Sequence, residues 1–80
     1  MEIKILGGGC PKCNRLEKLA REAVAELSVD AVFGHVRDMD NIMAYDITGT
    51  PALVIDEDVK CFGRVPRREE VVAWIREAAG

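Results

Sequence analysis

Eighty residues, 49% hydrophobic and 31% charged, describe one globular domain over positions 1–80, too short for a second core and too apolar for a disordered chain. A formal net charge of −3 lacks the basic excess of a nucleic-acid-binding protein, so no nucleic-acid partner is expected. No stretch approaches the roughly 18 apolar residues of a membrane span or the core of a signal peptide, so no membrane partner is expected and the expected compartment is cytoplasmic.

The elements follow in chain order. Met1 to Leu6 alternate, with Ile3 and Ile5 on one side and Glu2 and Lys4 on the other, and then stop at Gly7, Gly8 and Gly9. That pattern predicts a strand and a turn. From Pro11 onward Leu16, Leu19, Ala20, Ala23, Val24 and Leu27 recur every three or four residues, the apolar stripe of an amphipathic helix. Pro11 suits its first turn, where a missing N–H leaves no bond unmade. Ser28 and Asp30 end that helix, and residues 31–36 predict a second strand. Asp38 or Asp40 caps a short helix through Ile42, Met43 and Tyr45, which stops before Gly49 and Pro51. Residues 51–55 predict a third strand, Asp56 to Asp58 a turn, and residues 59–65 a fourth strand completing a hairpin. Beyond Pro66, the positions Val71, Val72, Trp74, Ile75 and Ala78 predict a closing helix. The order β-α-β-α-β-β-α implies an α/β fold with a four-stranded mixed sheet flanked by three helices.

Three cysteines are an odd number for a disulfide framework, and in a reducing compartment cysteines seldom act as staples. Cys10 and Cys13 bracket Pro11 and Lys12 where the first strand hands over to the helix. Unpaired N–H groups and the positive end of the helix dipole favour thiolate over thiol there. Lys12 adds a positive charge, so Lys12 and Pro11 are candidates for tuning the thiolate. A lower thiol pKa raises the thiolate fraction but weakens each thiolate as a nucleophile, so much of the benefit falls on Cys10 as a leaving group. The separable roles are Cys10 as nucleophile, forming a mixed disulfide with a target, and Cys13 as the resolving thiol one turn further on. Thr50 and Pro51 add a second element. A strand led by proline lacks a donor at its first residue, and an X-Pro bond has ready access to the cis form. If the bond is cis, the Thr50 backbone is offered to an extended substrate segment.

The residues leave two other uses of the pair open. A copper-type chaperone binds a soft metal ion through the same spacing, since two thiolates suffice for Cu(I). In such domains a methionine usually precedes the first cysteine and the chain ends in a strand. Here Gly9 precedes Cys10 and a helix closes the chain. A structural zinc site needs four ligands, and only Cys61 and His35 remain to supply them. The other use is as a non-catalytic peptide-binding module. Cys61 itself is expected as a small buried side chain, with a third redox thiol as its other reading. His35 is expected as a strand residue with a satisfied ring. The glycine run matches neither phosphate-binding signature.

The stretches "GGGCPKCNRLEKLAREAV", "VRDMDNIMAYDITGTPALVI" and "GRVPRREEVVAWI" cover most of the chain. They resemble the thioredoxin/glutaredoxin superfamily, and within it the small "redox-active disulfide protein" family of archaea and anaerobic bacteria. The resemblance implies a thioredoxin fold, a dithiol–disulfide site at Cys10 and Cys13, a cis-proline at Pro51 and a substrate groove at Thr50 and Pro51. It also implies a disulfide-bearing protein substrate, an unidentified reductase, and no cofactor beyond the cysteine pair. The tryptophan-led W-C-G-P-C motif is absent. Lys12 stands where the glutaredoxin C-P-Y-C motif has tyrosine, so glutathione binding is not carried over.

Overall fold

The computed structural model describes residues 1–9 and 11–80. Strand β1 (Glu2–Leu6) leads through the glycines to helix α1 (Pro11–Leu27) and strand β2 (Val32–Val36). Helix α2 (Met39–Met43), strands β3 (Ala52–Ile55) and β4 (Asp58–Phe62), and helix α3 (Arg68–Ala79) complete the chain. The sheet order is β2-β1-β3-β4, with β1 parallel to β2, antiparallel to β3, and β3 antiparallel to β4.

Alternation along the strands sorts their side chains onto two faces. Ile3, Ile5, Leu53, Ile55 and Cys61 meet Leu16, Ala20 and Ala23 of α1 and Val71 and Ile75 of α3. On the other face Leu6, Ala52 and Val54 meet Ile42 of α2, joined by Val36, Tyr45, Ile47 and Val59. The buried positions of α1 are Cys13, Leu16, Ala20 and Ala23, a spacing of three and four that keeps one stripe on the sheet. Leu19, Val24 and Leu27 flank it, half-buried.

Boundaries differ from the sequence expectations where backbone chemistry overrides pattern. Helix α2 is capped by Asp38, whose carboxylate accepts from the Asp40 N–H at 3.1 Å. It ends at Met43, and Tyr45 lies beyond it. Pro51 stays outside β3: its carbonyl accepts from Gly63 N–H at 2.9 Å, but it has no N–H to give. The hairpin turn is two residues, Asp56 and Glu57, at φ 50° and 68°. Two successive left-handed residues match the twist of the flanking strands, and this releases Asp58 into β4 opposite Ile55. Strand β4 stops at Phe62, because Gly63 takes a φ of 78°.

Within that hairpin Leu53 pairs with Cys61, yet Val54 pairs with Val59. Lys60 is therefore an extra residue, a β-bulge. Val59 and Cys61 would share one face of a regular strand. The bulge sends Val59 to the α2 side and Cys61 to the α1–α3 side, so both are covered.

Helix α3 begins at an arginine, which has no side-chain acceptor to cap with. The Glu70 carboxylate does part of that work by accepting from Arg67 N–H at 2.9 Å, and it binds both Arg64 terminal nitrogens at 3.0 Å. The Arg64 guanidinium, aided by the Arg67 N–H, lowers the Glu70 pKa to about 2. A folded-state value below the unfolded one gives stability that is complete above the ordinary carboxylate range and is lost as pH falls through the folded value. The stability gap between wild type and Glu70→Gln should therefore be constant near neutrality and close between about pH 4.5 and about pH 2 in paired thermal melts. A gap unchanged across that interval would contradict the assignment.

Lys4 donates to Tyr45 Oη at 3.0 Å and to the Glu57 carboxylate, and Tyr45 Oη lies 3.2 Å from Glu57 Oε2. Glu57 first, then Tyr45, raises the Lys4 pKa above the ordinary lysine value, while Lys4 lowers that of Glu57. The trio pins the hairpin tip to β1 and walls a hollow of about 630 Å³ on the α2 face.

Candidate active site

Gly7 carries the β1–β2 ladder one step past the strand, its N–H donating to Val36 O at 2.9 Å. Its φ of 153° lies where side-chain-bearing residues are strained, and it is buried. A Cβ at Gly7 would overlap Cys13 Sγ and would sit 3.7 Å from Thr50 Cβ. The end of β1, the first turn of α1 and the segment before β3 thus meet at Gly7. Cys13 is 3% exposed there, and the adjoining Thr50–Pro51 peptide is cis, with Pro51 buried and Thr50 exposed.

Pro11 is the first residue of α1; Pro11 and Lys12 are exposed on its opening turn, and Arg15 is exposed just beyond it. The expected nucleophile, Cys10, lies outside the described residues. The structure thus brings together Cys13, Thr50 and Pro51 and puts Pro11 and Lys12 on the adjoining turn.

Two contributions escape a reading of the sequence. Gly7 read only as part of a turn, although a glycine run directly before a C-x-x-C is a signal that backbone must pass close to a thiol. Met39 and Met43, four apart on α2, are 63% and 64% exposed. With Ile42, Ile47, Thr48 and Thr50 they line a groove of about 420 Å³ that reaches the cis-proline segment. Their spacing puts both on one helix face, but only the fold shows that this face looks outward.

The remaining candidates lie elsewhere. Cys61 is a buried free thiol in β4, and burial pushes its pKa up, away from the thiolate. His35 Nε2 meets Glu17 Oε1 at 2.6 Å, and Nδ1 lies 3.3 Å from Arg37 Nη2. A ring carrying its proton on Nε2 satisfies both. Arg21, and to a lesser extent His35, holds the Glu17 carboxyl below its ordinary range. Trp74 is half-buried against the α1–α3 core. Among the described residues no three His, Cys, Asp or Glu side chains cluster as a metal site, and no helix is long and apolar enough to cross a membrane.

A mixed sheet whose first strand feeds a C-x-x-C helix, with a cis-proline ahead of the third strand, defines a thioredoxin-fold domain. The thioredoxin domain family matches residues 1–76, and the chain belongs to it. A protein named thioredoxin from Methanothermobacter thermautotrophicus is 46% identical over 71 residues, which is 89% of this chain and 92% of its own length. One of the same name from Methanocaldococcus jannaschii is 36% identical over 69 residues, 86% of this chain and 79% of its own. The archaeal origin of both agrees with the resemblance drawn from the sequence.

Proposed function

We propose that this chain is a dithiol–disulfide oxidoreductase working through Cys10 and Cys13 on disulfide-bearing proteins. The Cys10 thiolate attacks one sulfur of the target disulfide. That S–S bond breaks, and the other target sulfur leaves as a thiolate and takes a proton from solvent. Cys13, having given its proton to solvent, then attacks Cys10 and expels the second target sulfur. The target gains two electrons, and the chain is left with a Cys10–Cys13 disulfide for a separate reductase to reopen. The observation that carries this reading is the convergence of Cys13, Gly7 and Thr50 at one point, beside the turn that bears Pro11 and Lys12. Family membership and the thioredoxin names of the two relatives support it. Thr50 and Pro51 border the substrate groove, no further cofactor takes part, and a reducing cytoplasm is the fitting compartment.

A redox titration against graded dithiol buffers, counting free thiols, tests the proposal. The expected result is a reversible two-electron transition in which the thiol count falls from the three cysteines of the chain to one. No disulfide in oxidising buffer would overturn the redox reading and bring soft-metal transfer forward.

A further inference from the structure

We infer that two copies of this chain associate through the open edge of β2, paired antiparallel about a two-fold axis at Gly34. The sheet has two edge strands, and they are built differently. β4 carries the bulge at Lys60, and a Lys60–Asp58 ion pair of 2.9 Å, devices that discourage edge pairing. β2 carries no bulge and no proline, and its central residue is glycine.

The even-numbered residues of β2 face β1, since Val32 N–H donates to Met1 O and Val36 O accepts from Gly7 N–H, both at 2.9 Å. Strand alternation therefore turns the N–H and C=O groups of Phe33 and His35 to the open edge. Among the described residues nothing demands glycine between them. Gly34 has no left-handed φ, and a Cβ there would meet only Lys4 Cγ at an ordinary 3.8 Å. A glycine inside a strand weakens it and often marks close approach of another backbone.

A two-fold axis at Gly34 makes this edge self-complementary. Phe33 falls opposite the partner's His35 as a pair that exchanges both backbone hydrogen bonds, and symmetry repeats the pair. The two Gly34 residues face each other as the closer, non-bonded pair. Val32, 70% exposed, comes opposite the partner's Val36 on one face. On the other face Arg21 stacks over Phe33 with its guanidinium carbon 4.4 Å from the ring centre, and Glu17 binds His35. Arg21 Nε already binds Glu17 Oε2 of its own chain at 2.8 Å, and the pairing of Phe33 with the partner's His35 sets that ion pair antiparallel to its symmetry mate, Arg21 beside the partner's Glu17.

Sedimentation equilibrium in reducing buffer, from about 10 µM to about 1 mM, tests this over the range where a small interface becomes populated. The wild-type mass should climb from 8.8 kDa toward twice that value. Gly34→Glu and Gly34→Lys should each stay monomeric, because like charges would face each other at the axis, and an equimolar mixture of the two should recover the dimer mass. Circular dichroism checks their folding. Arg21→Glu changes no residue of β2, sets like charge against the partner's Glu17, and should also shift the chain to monomer. A wild type that stays at monomer mass throughout overturns the inference. So does a dimer that folded Gly34→Glu or Arg21→Glu forms as readily as wild type.

Discussion

Cys10→Ser is expected to abolish disulfide reduction, and Cys13→Ser to stop it one step later with the target still attached. The two differ because a mixed disulfide can form only if the attacking thiolate is present, and it can be released internally only if the resolving thiol is present. Loss of the nucleophile should cost on the order of 10³-fold or more in turnover. Mass spectrometry under non-reducing conditions, after exposure to a disulfide-bonded peptide, separates the cases. Cys13→Ser should carry the peptide adduct, and Cys10→Ser should carry none. Cys61→Ala is the matched control: its thiol is buried among Leu53 and its neighbours on the α1–α3 face, so turnover should survive. Wild-type turnover in Cys13→Ser would remove that residue from the resolving step.

Gly7→Ala should combine a loss of stability with slower release of the target. Alanine at a φ of 153° is strained, and its Cβ would occupy the space of Cys13 Sγ. Backbone strain and overpacking each cost about 1–3 kcal/mol. The sulfur must then shift away from the position the native backbone leaves for it. The neighbouring glycines separate the two causes. A Cβ at Gly8 meets nothing within 4 Å and Gly8 has no left-handed φ, so Gly8→Ala should be close to neutral. Gly9 has a φ of 82° but open space, so Gly9→Ala should lose stability through the backbone alone. Thermal melts of the three variants, with the lifetime of the mixed disulfide, give the comparison. Equal behaviour of Gly7→Ala and Gly8→Ala would show that Gly7 does not position Cys13.

What the sequence discloses and what it conceals divide along physical lines. Helix α1 was legible because burial of one stripe forces the spacing of Leu16, Ala20 and Ala23, and a periodic cause leaves a periodic trace. Strands β1 and β3 were legible for the same reason, as alternation or as a short apolar run. The bulge at Lys60 was not, because Val59 and Cys61 have the parity of one face in any regular strand, and only the partner strand shows that the phase has slipped. In the sequence the hairpin tip reads one residue too long, since Asp56, Glu57 and Asp58 are equally acidic and only the backbone angles tell turn from strand. At the site, Cys13 and the Thr50–Pro51 pair announced themselves by residue type. Gly7 acts by lacking a side chain, and its part appears only when Cys13, in the helix that follows, comes to rest against it.

The sheet order carries a consequence for the way the chain assembles. β1 is synthesised first yet lies in the interior of the sheet, between β2 and β3. One neighbour arrives after the helix that follows it, as Ile5 comes to lie beside His35; the other arrives only when Leu53 does. Until then the β-α-β half holds an apolar strand with one bare flank, the kind of surface on which nascent chains mispair. Because that flank closes with contacts distant in sequence, the hairpin of β3 and β4 acts as the fastener that commits the fold, and a chain cut short before it has a core with nothing to shut it.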